Sequence, residues 1–207
     1  MNDDLKIRYS RLADESCCLS CGGALEKSGA ALGEICIDLG SGRGTDVIRL
    51  AEIVGPGGFV YGIDVTPEMV RKGRTAANKL GIGNTEFILA ELEDIPLENG
   101  IADLIISNCV INHVDRKDLV WAEIFRLLKK EGRFVVSDIY SVEAVPEEYS
   151  SDPAAVAECW AGAVTRDEYL DTVSRTGFIN VEILEESKPY QKGKIRVCSF
   201  TLLGTKD

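Results

Sequence analysis

The segment Asp38-Leu39-Gly40-Ser41-Gly42-Arg43-Gly44 constrains this chain more than any other. It follows an apolar run, Glu34 to Leu39. It opens onto Thr45 to Val54, where Val47, Ile48, Leu50, Ala51 and Val54 share one side. That order reads as strand, glycine loop, helix. Glycines there let the backbone approach a ligand closely and adopt positive φ. Asp64 closes the next strand, Phe59 to Ile63. An acid so placed accepts hydrogen bonds from a ribose diol. A dinucleotide fingerprint needs G-x-G-x-x-G with a helix N-terminus facing a pyrophosphate. Here the spacing is G-x-G-x-G, and Asp38 precedes it. A carboxylate suits a cationic or amino-bearing ligand better than an anion.

The rest of the chain alternates strand and helix. Thr66 and Pro67 start a helix that runs to about Leu80, and Gly81 ends it. Further strands are expected at Thr85–Leu89, Ala102–Ser107 and Arg133–Ile139, with a helix over Asp118–Leu128. Tyr140 to Val164 reads as irregular or short-helical. A helix over Arg166–Arg175 and two strands, Asn180–Glu185 and Arg196–Leu203, follow. Ser187–Lys194 reads as a polar hairpin loop between them. The expected fold is α/β, a doubly wound, mostly parallel seven-stranded sheet with an antiparallel edge. One domain is expected over 1–207: a cap segment 1–33, a cofactor-binding core 34–140, an insert 141–165 and a C-terminal part 166–207.

Composition narrows the partners. The net charge of −11, with cations scattered, disfavours a nucleic-acid backbone. No apolar run is long enough to span a bilayer, and the N-terminus is too polar and acidic for a signal peptide. The expectation is a cytoplasmic protein acting on a small molecule, without nucleic acid or membrane. Seven cysteines in such a chain point to ligands or reactive thiols rather than a disulfide framework. A single histidine, His113, excludes sites built from several imidazoles. Cys17, Cys18 and Cys21 cluster like half a zinc site, but no second cysteine pair completes it. Cys36 and Cys109, in or just after apolar strands, read as core packing, and Cys198 as core or ligand. Cys159 sits in an irregular stretch that offers little packing reason for it.

These motifs carry a resemblance. Asp38 to Gly44 resembles motif I of class I S-adenosylmethionine-dependent methyltransferases, a Rossmann-like family. Ile63-Asp64-Val65-Thr66-Pro67-Glu68-Met69 resembles that family's second strand and the loop after it. Glu91-Leu92-Glu93-Asp94-Ile95-Pro96-Leu97 resembles the segment beside the adenine, and Ser107-Asn108-Cys109-Val110-Ile111-Asn112 the loop over the methionine part. The resemblance implies S-adenosyl-L-methionine as cofactor. It implies cofactor contacts from Asp38, Gly40, Ser41, Gly42, Gly44, Asp64, Val65, Thr66, Met69, Glu91, Leu92, Asn108 and Cys109.

Within that class the chain is most similar to the arsenite methyltransferases. The likeness lies in the Ser107–Asn112 run, in Cys159-Trp160-Ala161-Gly162-Ala163 followed by Glu168-Tyr169-Leu170, and in Leu19-Ser20-Cys21-Gly22. The resemblance makes Cys159 and Cys21 metalloid-handling residues, and Cys18, Cys17 and Cys198 are the candidates for a third arsenic ligand. Trivalent arsenic is soft and suits thiolates. Glutathione or another thiol could complete its ligand set. Its lone pair can attack a sulfonium methyl in line, with no base required. The alternatives are a quinone or metabolite C- or O-methylation enzyme, with His113, Asp115 or Tyr140 as base, and a cofactor-binding protein without turnover.

Overall fold

The structure is a computed structural model that describes residues 3–12 and 22–207. Eight strands form one sheet: β1 (Ile35–Leu39), β2 (Phe59–Asp64), β3 (Thr85–Leu89), β4 (Ala102–Asn108), β5 (Leu128–Ser141), β6 (Ile179–Glu186), β7 (Tyr190–Lys192) and β8 (Ile195–Thr205). Their order is β3-β2-β1-β4-β5-β8-β6, and β7 pairs with β8. β3 through β5 run parallel, while β8 is antiparallel to β5, β6 and β7. The expected class holds, with an eighth strand added. Part of the Ser187–Lys194 loop is strand β7, because Tyr190 to Lys192 pair with Val197 to Ile195. That hairpin has only Gly193 and Lys194 at its tip, a short connection natural to paired strands.

The helices are α1 (Asp3–Leu12), α2 (Ala24–Lys27), α3 (Thr45–Val54), α4 (Pro67–Leu80), α5 (Lys117–Leu127), α6 (Glu147–Ser150), α7 (Pro153–Val156) and α8 (Arg166–Thr176). α4 starts at Pro67 as expected, and Gly81 ends it in the left-handed region. α8 is framed by a capping box in which the Thr165 and Glu168 side chains each bond the other's backbone. α5 hands over directly to β5 at Leu128, five residues before the expected strand start, and β5 runs on to Ser141.

Two apolar layers sandwich the sheet. On one face Trp121, Phe134, Tyr169 and Phe178 stack edge to face beneath α5 and α8. On the other, Val47, Leu50, Val54, Val60 and Val135 pack under α3. Fully burying each such side chain contributes roughly 1.5–3 kcal/mol. A smaller cluster joins Ile139 and Val197 to Val156, Cys159 and Trp160. It seats the 153–163 segment against the carboxyl end of β5. Among the described residues, no helix is long and apolar enough to cross a membrane.

Candidate active site

A cavity of about 420 Å³ opens beyond the carboxyl ends of β1, β2 and β4, where the strand order turns back. The glycine loop forms one wall. Gly40 has φ 70°, and a Cβ there would stand 2.6 Å from a methyl of Val110, so any side chain would push the loop off the cavity. Ser41 N donates to the Ile63 carbonyl at 2.9 Å, tying this loop to the end of β2. Asp64 accepts from Gly42 N at 2.9 Å and from Thr66 N at 2.8 Å, one bond on each carboxylate oxygen. Each oxygen keeps a lone pair for a further donor. Thr66 takes the N-cap position of α4 without capping through its side chain.

Three aspartates, Asp38, Asp46 and Asp64, line this space, with Glu158 at its far end beside Cys159. Asp38, at the end of β1, is buried and lines the cavity. Burial, then the neighbouring Asp46 and Asp64, hold its carboxyl well above the usual range. Burial also raises Asp46 and Asp64. The Ser41 hydroxyl is buried without a partner. Asn108 orients the acid beyond: its amide donates to Asp46 at 3.0 Å while its oxygen accepts from Ala24 N at 3.2 Å. An orphaned hydroxyl and clustered acids fit a polar ligand that brings positive charge and N–H or O–H donors. S-adenosylmethionine, with its sulfonium, ammonium and ribose diol, meets that description, so the residues present fit it.

The other half of the cavity carries sulfur. Cys109, just after β4, and Cys159, just after α7, both line it. Cys159 Sγ lies 3.8 Å from the Cys109 carbonyl oxygen. Both residues have positive φ, 54° and 75°. α1 covers this end with Leu5, Arg8 and Tyr9, and Lys192 of β7 reaches it from the hairpin. Tyr9 Oη stands 3.0 Å from His113 Nε2, and His113 Nδ1 lies 3.0 Å from the Val156 carbonyl oxygen. A carbonyl only accepts, so Nδ1 carries the proton and Tyr9 donates to Nε2. Burial lowers the His113 pKa to about 4, which keeps the ring neutral.

The expected cofactor residues Asp38, Gly40, Ser41, Gly42, Asp64, Val65, Thr66, Met69, Leu92, Asn108 and Cys109 all line this cavity. Gly44 and Glu91 do not. Gly44 instead lies against the Phe87 ring, where a Cβ would come within 2.5 Å. The Glu91 carboxylate is 3.9 Å from Lys6 Nζ of α1. Cys159 has a packing role that its irregular surroundings concealed: it is buried among Val156, Trp160 and Ile139. Cys198 is buried on β8 with Tyr140 and Phe200, away from the cavity. Cys36 is buried beneath α3. Cys17, Cys18 and Cys21 lie outside the described residues. Sequence reasoning placed Cys109 with the cofactor and the core. Its partnership with Cys159 is a tertiary fact, signalled in sequence only by its place beyond a strand end.

Residues 32–185 match the family model of the methyltransferase domain. With the fold and site above, the chain belongs to the S-adenosylmethionine-dependent methyltransferases. Within that class its similarity runs to enzymes of arsenic. It is 38% identical over 165 residues to an arsenite methyltransferase of Halobacterium salinarum, covering 80% of this chain and 42% of that protein. It is 35% identical over 157 residues to one from Aquipseudomonas alcaligenes, covering 72% and 45%. The chain thus spans less than half the length of these curated relatives. The crystal structure of CrArsM, an arsenic(III) S-adenosylmethionine methyltransferase from Chlamydomonas reinhardtii, superposes with a TM-score of 0.79 at 31% identity. The match covers 94% of this chain and 72% of that one.

With S-adenosylmethionine seated in this cavity, the buried Asp38 carboxyl is expected to make cofactor affinity pH-dependent. Its pKa is raised in the free protein, whereas a cationic ligand favours the ionised form. Binding therefore releases a proton, and affinity rises as pH climbs through the raised value. Calorimetric titration with S-adenosylmethionine should show this slope. Asp38→Asn should flatten it and weaken binding about tenfold at neutral pH. An unchanged slope in the variant would remove Asp38 from the cofactor site.

Proposed function

We propose that this chain methylates trivalent arsenic, using Cys109 and Cys159 as two of its thiolate ligands. The observation that carries the reading is the placing of both cysteines on one cavity wall, Cys159 Sγ 3.8 Å from the Cys109 carbonyl. The cofactor-type carboxylates line the same cavity. Arsenite and two thiols exchange two hydroxyls for two thiolates, releasing two waters, so capture needs no base. A third thiol, from the chain or from glutathione, replaces the last hydroxyl. The bound cofactor supplies an activated methyl on a sulfonium. That methyl is what the arsenic lone pair would take, with the carbon–sulfur electron pair left on the departing sulfur.

The protein's work is alignment and exclusion of water. Tyr9 and Leu5 of α1 line the cavity, where Asp38 and Asp46 would face the positive end of the cofactor and Asp64 its ribose diol. Two of the three groups expected to serve as a base, His113 and Tyr140, are engaged with other partners. Both His113 nitrogens are engaged, and the Tyr140 hydroxyl donates to Glu186 at 2.9 Å. The similarity to arsenite methyltransferases supports the same reading. The test is incubation with methyl-labelled S-adenosylmethionine, arsenite and glutathione, followed by mass spectrometry. Labelled methylarsenicals are expected. Label that appears only in a carbon or oxygen acceptor, or nowhere, refutes the arsenic reading.

A further inference from the structure

The two thiols sit on chain segments that share no secondary structure. Cys109 begins the 109–113 turn after β4, whereas Cys159 precedes the short 3-10 turn Trp160–Gly162. Three contacts join the segments. His113 Nδ1 donates to the Val156 carbonyl at 3.0 Å. Cys159 Sγ reaches the Cys109 carbonyl at 3.8 Å. Gly162 lies against the Asn112 carbonyl, where a Cβ would collide with that oxygen. The 109–113 turn is thus the seat on which the Cys159 segment rests.

The turn itself is anchored from behind. Cys109 N donates to the Ser137 carbonyl of β5 at 2.8 Å. Asn112, fully buried, spends its side-chain amide on β5, donating to Asp138 Oδ1 at 2.9 Å and to the Ile139 carbonyl at 2.7 Å. Asp138 Oδ1 also accepts from Ile139 N at 2.8 Å. Asp138 is 2% exposed, on the sheet face covered by Tyr169 and Phe200. Its Oδ2, the Asn112 Oδ1 and the Tyr169 hydroxyl are all buried without partners. Burying so much unsatisfied polarity opposes folding, and an apolar set of the same volume would cost less.

We infer that Asp138 and Asn112 form a buried brace that fixes the spacing of the Cys109 and Cys159 thiols, making both of them positioning residues for substrate capture. Their bearing on catalysis rests on the reading of that cysteine pair as arsenic ligands. The spacing itself does not. Neither residue touches the substrate. Asp138 holds the Asn112 amide, Asn112 holds the turn, and the turn presents Cys109 while seating Gly162 and the Cys159 segment.

The experiment reads thiol spacing without arsenic. The full chain is treated with dibromobimane, which bridges only neighbouring thiols, and the Cys109–Cys159 cross-linked peptide is quantified by mass spectrometry. Asp138→Leu and Asn112→Ser, each losing the amide–carboxylate bond, should lower the cross-link about tenfold or more. Single alkylation of each thiol by iodoacetamide and the S-adenosylmethionine affinity should remain near parent values. Asp138→Asn keeps an acceptor oxygen for Asn112 and should cross-link like the parent. Where Asp138→Leu does not fold, Asn112→Ser decides. Parent-level cross-linking in Asn112→Ser, or no cross-link in the parent, overturns the brace. A parent that cross-links in a brace-dependent way but never methylates arsenite refutes the substrate reading and leaves the brace standing.

Discussion

Replacing either Cys109 or Cys159 with serine is expected to lower arsenite methylation by about a hundredfold or more while leaving cofactor affinity within about twofold. The argument is one of atom type. Serine keeps the size and backbone preference of cysteine but offers a hard oxygen to a soft metalloid. Both residues line the cavity, and the substitution leaves Asp38, Asp46 and Asp64, the acids that suit the cofactor, in place. Each variant would be assayed at fixed glutathione for methylarsenical formation, with calorimetry for the cofactor. Cys198→Ser is the control: this thiol is equally buried but lies on β8 away from the cavity, and its variant should methylate at the parent rate. Full activity in Cys159→Ser or Cys109→Ser would dismiss the dithiol site.

The second large effect concerns stability. Burial pushes the Asp138 carboxyl up to about 7, against a carboxylate's ordinary value near 4. Its folded pKa therefore lies above its unfolded one. The stability this group allows is complete below the unfolded value and is lost as pH rises through 7. Asp138→Asn cannot ionise, and its new N–H group finds acceptors in the orphaned Asn112 oxygen and Tyr169 hydroxyl. The variant should gain on the parent as pH rises, by roughly 3 kcal/mol between about pH 5 and pH 9. In a domain of this size that is roughly 6–12 °C of melting temperature. His113, buried neutral, changes stability with the opposite sign, but it is common to both proteins and cancels in the difference. Melting curves of the pair across that range, with a difference that stays flat, would show that Asp138 carries no such penalty.

The parts of this molecule written in local pattern were legible before any coordinates. A glycine loop needs its neighbours in sequence only, so Asp38 to Gly44 announced both the β1–α3 turn and the ligand wall. Asp64 followed from strand-end spacing, and its carboxylate lines the cavity with one backbone bond on each oxygen. Strand β7 was hidden because three polar residues carry no apolar alternation, and its stability comes from pairing with β8. The early start of β5 was hidden because Leu128 continues the periodicity of α5. Glu91 was assigned to the adenine by resemblance alone, and its carboxylate stands 3.9 Å from Lys6 Nζ. The pairing of Cys109 with Cys159 joins residues 50 positions apart, and no local signal could report it. Asp138 and Asn112 escaped for the same reason.

The backbone beneath the two thiols has its own consequence. Cys109 at φ 54° and Cys159 at φ 75°, ψ −38° occupy conformations that a side-chain-bearing residue adopts at a cost of about 1–2 kcal/mol. Glycine would relax the backbone at both positions but would take the two thiols out of the cavity. The chain thus surrenders ruggedness at the two places where sulfur meets the cavity, a trade between durability and chemistry written into two dihedral angles.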